Sequence, residues 1–524
     1  MRRFRASLLL TVVLALLLSL SAVTAQDEKV LHIVFNQDMR TSDPHIAYET
    51  ETWPMASLFY VGLVKLKDPG TPIPALAESW TISDDGTIFT FKLRPDAKFS
   101  NGRDLTAEDV KYSFERLLNP ATAAPTAFMF DSLVGAKDFQ AGTATEVSGI
   151  KIIDDHTIEF KTEIPVWTMM QRFALPPGFI VAKEGVEAAG DEFGRQPLGA
   201  GPFIIDPNGW ESGVKVTGSR NPYYFEAGQP YFDKFELQLG IESSVEILKI
   251  ESGEADIALD FVPSSDYPRL ADDPVLSKQL IASQGFPNTG YIVVNNNKEP
   301  FSNLDVRKAM SMAIDRDRLS QILNGRAVPI GGFLPASVVG HNPDVKAPAY
   351  DPDGAKKLLA DAGYPDGFST TMLSNLFPND LAMAQAVVAD LGNIGIQVEL
   401  TSIDNAQFLD VLNQKPDTLD LVMTNWYMDY QDPSDNWEPL LKCDGSYNWA
   451  KYCNKDLDAL FEKINVTPLG DDRWAAFADF EAKVAEQVPN LPLVQAVDYY
   501  FASARLNIET DPAVLLRFAE ATVK

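Results

Sequence analysis

Histidine and cysteine are scarce: the 524 residues contain four histidines and two cysteines. The histidines are scattered, at His32, His45, His156 and His341. The chain also lacks the nucleophile motif G-x-S-x-G, the zinc motif H-E-x-x-H and a phosphate-binding loop. Its paired acids, Asp84-Asp85 and Asp154-Asp155, lie in predicted hairpin turns, where turn geometry favours aspartate. The sequence therefore predicts no enzyme, no metal site and no cofactor, and a secreted hydrolase is the less favoured alternative.

Positive charge is also limited, because 44 lysines and arginines stand against 73 acidic residues, for a formal net charge of −29. No cluster of lysine and arginine offers the phosphate contacts that nucleic-acid binding needs. An acidic protein is likewise repelled by anionic lipid. The charge suits a soluble exported protein and favours cationic or zwitterionic ligands through long-range attraction.

The N-terminus has the pattern of a secretory signal peptide. Three arginines within the first five residues precede an uncharged apolar run from Ala6 to Val23. Val23-Thr24-Ala25 then places small residues where a signal peptidase cleaves, before Gln26. We interpret residues 1–25 as a signal peptide, with a retained membrane anchor as the alternative interpretation of the run. No cysteine follows the cleavage point, so a free periplasmic protein is expected rather than a lipid-anchored one.

The two cysteines, Cys443 and Cys453, are close together near the C-terminal end. In an oxidising compartment they should form a disulfide that closes a short surface loop. Their spacing fits neither a zinc site, which needs further ligands, nor a C-x-x-C redox pair. The predicted disulfide agrees with export.

The first half of the mature chain is predicted to form an α+β arrangement. A buried strand over residues 30–35 comes first, and two hairpins follow, at residues 80–93 around Asp85-Gly86 and at residues 150–160. Between the hairpins, a capping box of Thr106 and Asp109 starts a helix that reaches Leu118. Further elements are a helix at 245–254 and strands at 256–259 and 291–295.

The second half alternates strands with helices. The predicted elements are helices at 305–323, 351–362, 381–394 and 406–412 and strands at 369–373, 396–403 and 419–424. Such alternation predicts a largely parallel sheet with right-handed crossovers. The expected fold class is α/β, mixed with α+β.

The strand predicted to end at Thr424 is followed by the segment Asn425 to Pro433. Ligands of open α/β sheets bind beyond the carboxyl ends of strands, so this segment is a candidate pocket edge. Three aromatic side chains there flank two carboxylates, which suits an ammonium group through cation–π attraction and charge-assisted hydrogen bonds. The residues alone are equally compatible with a loop of packed aromatics in which Asp432 precedes a turn proline.

From end to end the mature chain resembles the family 5 extracellular solute-binding proteins, the oligopeptide, dipeptide and nickel binders of bacterial ABC importers. Short motifs in a fixed order carry the resemblance. They are Pro74-Ala75-Leu76-Ala77-Glu78-Ser79-Trp80, Asp85-Gly86, Phe91-Lys92-Leu93-Arg94, Lys98-Phe99-Ser100-Asn101-Gly102, Leu105-Thr106-Ala107-Glu108-Asp109-Val110, Gly201-Pro202-Phe203, Gly253-Glu254-Ala255-Asp256, Pro300-Phe301, Val306-Arg307-Lys308-Ala309, Ala313-Ile314-Asp315-Arg316, Tyr350-Asp351-Pro352 and residues 358–365.

The resemblance implies a type II periplasmic-binding fold, in which two lobes close on a buried ligand. The first lobe would be discontinuous, with residues 26–78, 199–295 and 490–524, and an extra α+β subdomain of residues 79–198 would be inserted in it. The second lobe would span residues 296–489. The implied partner is the membrane permease of an ABC importer, and the protein is expected to act as a monomer.

The resemblance also implies site residues. Oligopeptide binders carry the motif Trp-x-x-Asp-Tyr-x-acid-Pro, whose aspartate pairs with the peptide α-ammonium. Trp426, Asp429 and Tyr430 match it, together with Asp432 and Pro433. The backbone near Asp38 and Met39 would pair with the ligand main chain as an added strand.

No motif identifies the partner of a ligand carboxylate. Arg172, Arg195 and His341 are candidates. Two other ligand classes stay open within the family. Oligosaccharides can stack on some of the eight tryptophans, and a metal chelate would need few protein ligands despite the scattered histidines.

Overall fold

The computed structural model describes residues 28–49, 52–283, 287–513 and 515–524. The predicted signal peptide and its cleavage site lie outside these residues. In the described ranges, no helix combines the length and the apolar character that crossing a membrane requires.

The strands are numbered in chain order. They are β1 (Val30–Val34), β2 (Val64–Asp68), β3 (Thr71–Pro74), β4 (Ala77–Ile82), β5 (Ile88–Leu93), β6 (Ile150–Asp154), β7 (Thr157–Lys161), β8 (Phe203–Glu211), β9 (Lys215–Arg220), β10 (Lys234–Gln238), β11 (Ile257–Ala258), β12 (Leu280–Ala282), β13 (Asn288–Val294), β14 (Ala327–Pro329), β15 (Phe368–Asn375), β16 (Ile396–Ile403), β17 (Leu421–Tyr427), β18 (Leu491–Ala496), β19 (Tyr499–Phe501), β20 (Leu506–Asn507), β21 (Thr510–Asp511), β22 (Leu515–Leu516) and β23 (Thr522–Val523).

The α-helices are numbered in the same way. They are α1 (Thr52–Phe59), α2 (Ala107–Leu118), α3 (Ala136–Gln140), α4 (Met169–Arg172), α5 (Lys183–Ala189), α6 (Ser243–Ser252), α7 (Tyr267–Asp272), α8 (Leu304–Ala313), α9 (Arg316–Ile322), α10 (Pro352–Asp361), α11 (Pro378–Asn393), α12 (Asn405–Gln414), α13 (Ser434–Leu440), α14 (Lys455–Asn465) and α15 (Asp471–Gln487).

The amino-terminal half contains two main sheets. The first has the order β11-β1-β10-β9-β8, with β1 parallel to both of its neighbours. The second, β4-β5-β7-β6, is antiparallel and consists of the two predicted hairpins. At the first turn, Gly86 has φ of 68°, a conformation that favours glycine. The predicted capping box of Thr106 and Asp109 opens α2. One hydrophobic cluster spans both sheets, so the hairpin sheet packs on the same core.

The carboxy-terminal sheet has six strands in the order β14-β18-β13-β17-β15-β16. The prediction of a largely parallel sheet was wrong, because β14, β18, β13 and β17 pair antiparallel to one another. Only β15, β16 and β17 are mutually parallel, and these strands belong to the β-α-β run recognised in the sequence. The two faces of the sheet are covered by separate hydrophobic clusters.

The helix predicted over residues 305–323 is two helices, α8 and α9. Ile314 between them is extended, with φ of −91° and ψ of 122°. The Asp315 carboxylate accepts a hydrogen bond of 3.0 Å from the backbone N–H of Arg318 and thereby caps α9. An aspartate at an N-cap starts a new helix. The apolar residues keep their 3.6-residue spacing through Ile314 and Asp315, so this spacing alone could not show that one helix ends and another begins there.

Candidate functional site

The predicted pocket segment begins inside a strand. β17 runs to Tyr427, three residues beyond the predicted end at Thr424, because its pairing with β13 continues to the pair Tyr427–Asn288. Trp426 and Tyr427 are therefore strand residues, and the irregular segment begins at Met428. It passes Asp429 and leads into α13.

Asp429 is a buried carboxylate with a defined set of partners. Its side chain accepts a hydrogen bond of 2.8 Å from the hydroxyl of Tyr48, and its backbone N–H donates to Asp435 Oδ2 at 2.9 Å. The same Asp435 oxygen accepts a hydrogen bond of 3.1 Å from Trp426 Nε1. Burial raises the pKa of Asp429 to about 7, although the Tyr48 hydroxyl and the nearby Arg172 act in the lowering direction. Burial and the adjacent Asp429 also raise the pKa of Asp435.

Negative charge exceeds positive charge at this position. Arg172 is the cation that acts on both aspartates, but its Nη2 donates to the Tyr430 hydroxyl at 2.8 Å and to Glu438 at 2.9 Å. In the described part of the chain, neither Asp429 nor Asp435 forms an ion pair. A buried carboxylate in this state attracts a cation, because pairing is what stabilises buried charge.

Asp432, the third acid of the segment, has a different role. Arg473 binds it with two nitrogens, at 3.0 and 2.8 Å, and both side chains are almost fully buried. Arg473 also donates to backbone carbonyls at the C-terminal end of α14. The pair fixes the loop to the helices behind it and leaves Asp432 no free oxygen pair for a ligand cation.

Aromatic rings surround the Asp429 carboxylate. The ring of Tyr447 has its centroid 5.6 Å from that of Tyr48, 5.7 Å from that of Trp426 and 5.9 Å from that of Phe128. Its hydroxyl donates to the carbonyl of Pro125 at 2.9 Å. Side chains from both halves of the chain thus meet beside Asp429 and Asp435.

Tyr447 lies in the loop that the predicted disulfide closes. The bond between Cys443 and Cys453 is present, which confirms that prediction. Tyr447 itself was missed, although its position between two linked cysteines was a usable signal. Tyr48 and Asp435 were missed as well. Asp435 lies only two residues beyond the motif and was the easier of the two to suspect.

Three other predicted residues are not bonded to Asp429 or Asp435 in the described part of the chain. Asp38 is exposed, and Met39 is buried in the amino-terminal core. Among the described residues, no hydrogen bond joins either of them to Asp429 or Asp435. Arg195 is exposed and pairs with Glu192 at 3.6 Å.

Two candidates for a carboxylate partner are already engaged. His341 pairs with the buried Glu481 at 3.3 Å, and this contact raises the pKa of the imidazole. Arg172 belongs to the Asp429 neighbourhood, but its Nη2 is bound to Tyr430 and Glu438. Among the described residues, no group of three or more His, Cys, Asp and Glu side chains is arranged to hold a metal ion.

Comparison with known proteins gives a consistent result. The model of the bacterial extracellular solute-binding proteins, family 5, matches residues 71–448. Di/tripeptide-binding protein 2 of Pseudomonas aeruginosa is 28% identical over 84% of this chain and 83% of its own length. Heme-binding protein A of Haemophilus influenzae is 28% identical over 85% of this chain and 83% of its own length.

Solved structures share the fold. The murein tripeptide binding protein MppA of Escherichia coli has a TM-score of 0.84 at 24% identity, covering 95% of this chain and 99% of its own. OppA of Haemophilus influenzae in complex with the peptide RPPGFSPFR has a TM-score of 0.83 at 23% identity, with the same coverage. The unliganded open form of MppA scores lower, 0.70 at 24% identity, over 95% of this chain and 98% of its own.

These structures confirm the predicted type II periplasmic-binding fold. With a family model that matches most of the chain, the protein is a member of family 5 of the bacterial extracellular solute-binding proteins, which are not enzymes.

Proposed function

We propose that this protein captures peptides by their free α-ammonium and delivers them to the membrane permease of an ABC importer. The observation that carries the proposal is the buried pair Asp429 and Asp435, which has no ion-pair partner among the described residues. A ligand ammonium supplies the missing charge and N–H donors for the Asp429 carboxylate and the Tyr48 hydroxyl oxygen. Tyr447 and Trp426 add aromatic surface beside it.

The proposed lobes would form a cleft at this site. We propose that residues 26–78, 199–295 and 490–524 form the first lobe, 79–198 the extra subdomain and 296–489 the second lobe. One hydrophobic cluster unites most of the first lobe and the extra subdomain. Two others are centred on the second lobe and also include residues of β13 and β18, just outside the proposed boundaries. Tyr48 and Phe128 each pack against the first-lobe cluster and also against one of the second-lobe clusters. Asp429 and the side chains around it would therefore lie where the two lobes meet.

Backbone contacts would complete peptide recognition. Residues near Asp38 and Met39 follow β1, at the carboxyl edge of the first sheet, where an extended ligand can add main-chain hydrogen bonds. Such bonds do not depend on ligand side chains, which suits a general peptide scavenger. With the signal peptide of residues 1–25, the protein would act as a periplasmic monomer.

A ligand panel tests the proposal. Mass spectrometry of material that co-purifies with the protein should identify compounds with a free amino group. In thermal unfolding, a free-amine tripeptide such as trialanine at 100 times its Kd should stabilise the protein by about 2.7 kcal/mol. N-acetyl-trialanine is the matched control and should have little effect. Stabilisation by an oligosaccharide, heme or a nickel chelate but by no free-amine peptide would contradict the proposal.

Peptide affinity should depend on pH through Asp429. Its pKa in the free protein is raised to about 7, and a bound ammonium lowers it. Binding therefore requires the ionised carboxylate: the contribution of Asp429 to affinity is complete above pH 7 and falls as the pH decreases below 7, by up to tenfold per unit. Calorimetry of trialanine between pH 5.5 and 8.5 measures this. Since the peptide α-amino group titrates near 8, the points below pH 7.5 are the decisive ones. A flat profile between pH 5.5 and 7.5 would be incompatible with Asp429 as the anchor.

A further inference from the structure

Arg172 is held rigidly by its own part of the chain. It is the last residue of α4, in the extra subdomain, and is 2% exposed. Its Nε donates to Thr168 Oγ1 at 3.2 Å, and its Nη1 donates to the carbonyl of Met129 at 2.8 Å. These two bonds orient the guanidinium without any contribution from the second lobe, so Nη2 is presented in a fixed direction.

Arg172 Nη2 forms hydrogen bonds with two residues of the second lobe. Arg172 Nη2 donates to the hydroxyl of Tyr430 and to Glu438, and the guanidinium lies 4.9 Å from the centroid of the Tyr430 ring. Tyr430 follows Asp429 directly, and Glu438 is on α13, which also carries Asp435. We call these two bonds the Arg172 bridge. It joins the extra subdomain to the segment that holds the ammonium anchor.

The bridge occurs in a structure that is less similar to a known open form than to a peptide complex. The structure agrees better with the OppA–peptide complex, at a TM-score of 0.83, than with the unliganded open form of MppA, at 0.70. Two neutral contacts run beside the bridge: Trp167 Nε1 donates to the carbonyl of Val466 at 3.0 Å, and the Tyr447 hydroxyl donates to that of Pro125. Opening a cleft between the lobes would separate all three.

Closure changes the electrostatics of the anchor in two opposing ways. Burial of Asp429 and Asp435 raises the pKa of both carboxyls. The positive charge of Arg172 acts in the opposite direction on both. Since this charge comes from the other side of the cleft, it reaches the anchor only when the lobes are together. Glu438 and the Tyr430 hydroxyl bind the guanidinium but leave its charge close to the aspartates.

We propose that Arg172 couples closure of the cleft to the charge of the ammonium anchor. The Arg172 bridge locks the extra subdomain to the second lobe, and it supplies the positive charge that keeps Asp429 ionised after water has been excluded. Arg172 is thus a positioning residue that acts through Tyr430 and Asp429. The charge coupling rests on the proposed function, whereas the lock does not.

The lock is tested without any ligand. Spin labels at Ile153→Cys in the extra subdomain and Leu469→Cys in the second lobe report the distance across the cleft, and both positions are exposed, at 48% and 45%. The unliganded protein should show a short-distance population, and Arg172→Met should reduce that population by at least half. Arg220→Met, an exposed arginine that pairs with Asp233, removes the same charge elsewhere and should change nothing.

The coupling is tested with the free-amine peptide that binds most tightly. Arg172→Met should raise its dissociation rate at least tenfold and move the pH midpoint of binding upward by about one unit. Arg172→Lys keeps the charge and should restore the midpoint, a result that a purely structural role would not give. Glu438→Ala removes one of the two bonds of the bridge from a partly exposed position and should also accelerate dissociation, which covers the case that Arg172→Met does not fold.

Three results would overturn these inferences separately. If Arg172→Met gave the same label distances and dissociation rates as Arg220→Met, the lock would be overturned. Unchanged pH midpoints in Arg172→Met would overturn the charge coupling. If the wild-type protein bound no free-amine peptide, the proposed function and the coupling would both fall, while the label distances would still decide the lock.

Discussion

Replacing Asp429 with asparagine should abolish most of the affinity for free-amine peptides and at the same time stabilise the unliganded protein. The amide keeps an acceptor for the Tyr48 hydroxyl but removes the charge that the ligand ammonium needs. Loss of one partner of a buried charge pair costs about 2–5 kcal/mol of binding, so Kd should rise by a factor of roughly 30 to 5,000. Calorimetry at pH 7.5 with trialanine measures the change.

The gain in stability follows from the same carboxyl. The pKa of Asp429 is about 7 in the folded protein and close to 4 in an unfolded chain. A raised carboxyl pKa destabilises the fold: the penalty is absent below pH 4, grows as the pH rises to 7 and is complete above it. An amide does not ionise and carries no such penalty. Asp429→Asn should therefore unfold at higher denaturant concentration at pH 8, by roughly 1–3 kcal/mol, and show no gain at pH 4.

A matched control separates this effect from general charge removal. Asp417→Asn removes a carboxylate that is 85% exposed and pairs with Lys451 in the same lobe. It should leave both peptide affinity and stability at pH 8 unchanged. Unaltered affinity in Asp429→Asn, or a loss of affinity equal for trialanine and N-acetyl-trialanine, would show that Asp429 is not the ammonium anchor. An improved stability with lost binding is the signature of a residue kept for function.

Local signals in the sequence predicted several single elements of the fold. The Asp85-Gly86 turn, the Thr106 capping box and Gly253 after α6 each mark a boundary by a backbone requirement of one or two residues. The failures came from features that depend on distant residues. The pairing of β13 and β18 across the carboxy-terminal sheet joins strands about 200 residues apart, and no periodicity within either strand encodes it.

In the candidate site, too, residues with a local sequence signal were predicted and residues that depend on distant parts of the chain were missed. Trp426, Asp429 and Tyr430 lie in one contiguous segment, so a motif could select them. Tyr48 is 381 positions away from the carboxylate to which it donates, and Arg172 is 258 positions from Tyr430. Both partners come from irregular or short elements with no motif of their own. Only the folded arrangement shows that Arg172 binds Tyr430 and Glu438, next to Asp429 and Asp435.

The second large effect concerns the buried ion pair behind the anchor. Arg473→Met should destabilise the protein by about 3–5 kcal/mol, because it leaves the Asp432 carboxylate buried without a counter-charge. Both side chains are about 1% exposed, so water cannot replace the lost partner. Urea unfolding at pH 7.5, followed by tryptophan fluorescence, measures the loss.

Removing both charges should recover part of this stability. The double variant Asp432→Asn with Arg473→Met has no uncompensated charge, but it still lacks the bonds from Arg473 to the carbonyls of Ile464 and Asn465. It should therefore lie between Arg473→Met and the wild type, and additive losses would argue against a coupled pair. Since Asp432 lies three residues after Asp429, Arg473→Met should also weaken peptide binding in the fraction that remains folded. Peptide affinity equal to that of the wild type in that fraction would mean that the ion pair stabilises the second lobe without positioning the anchor.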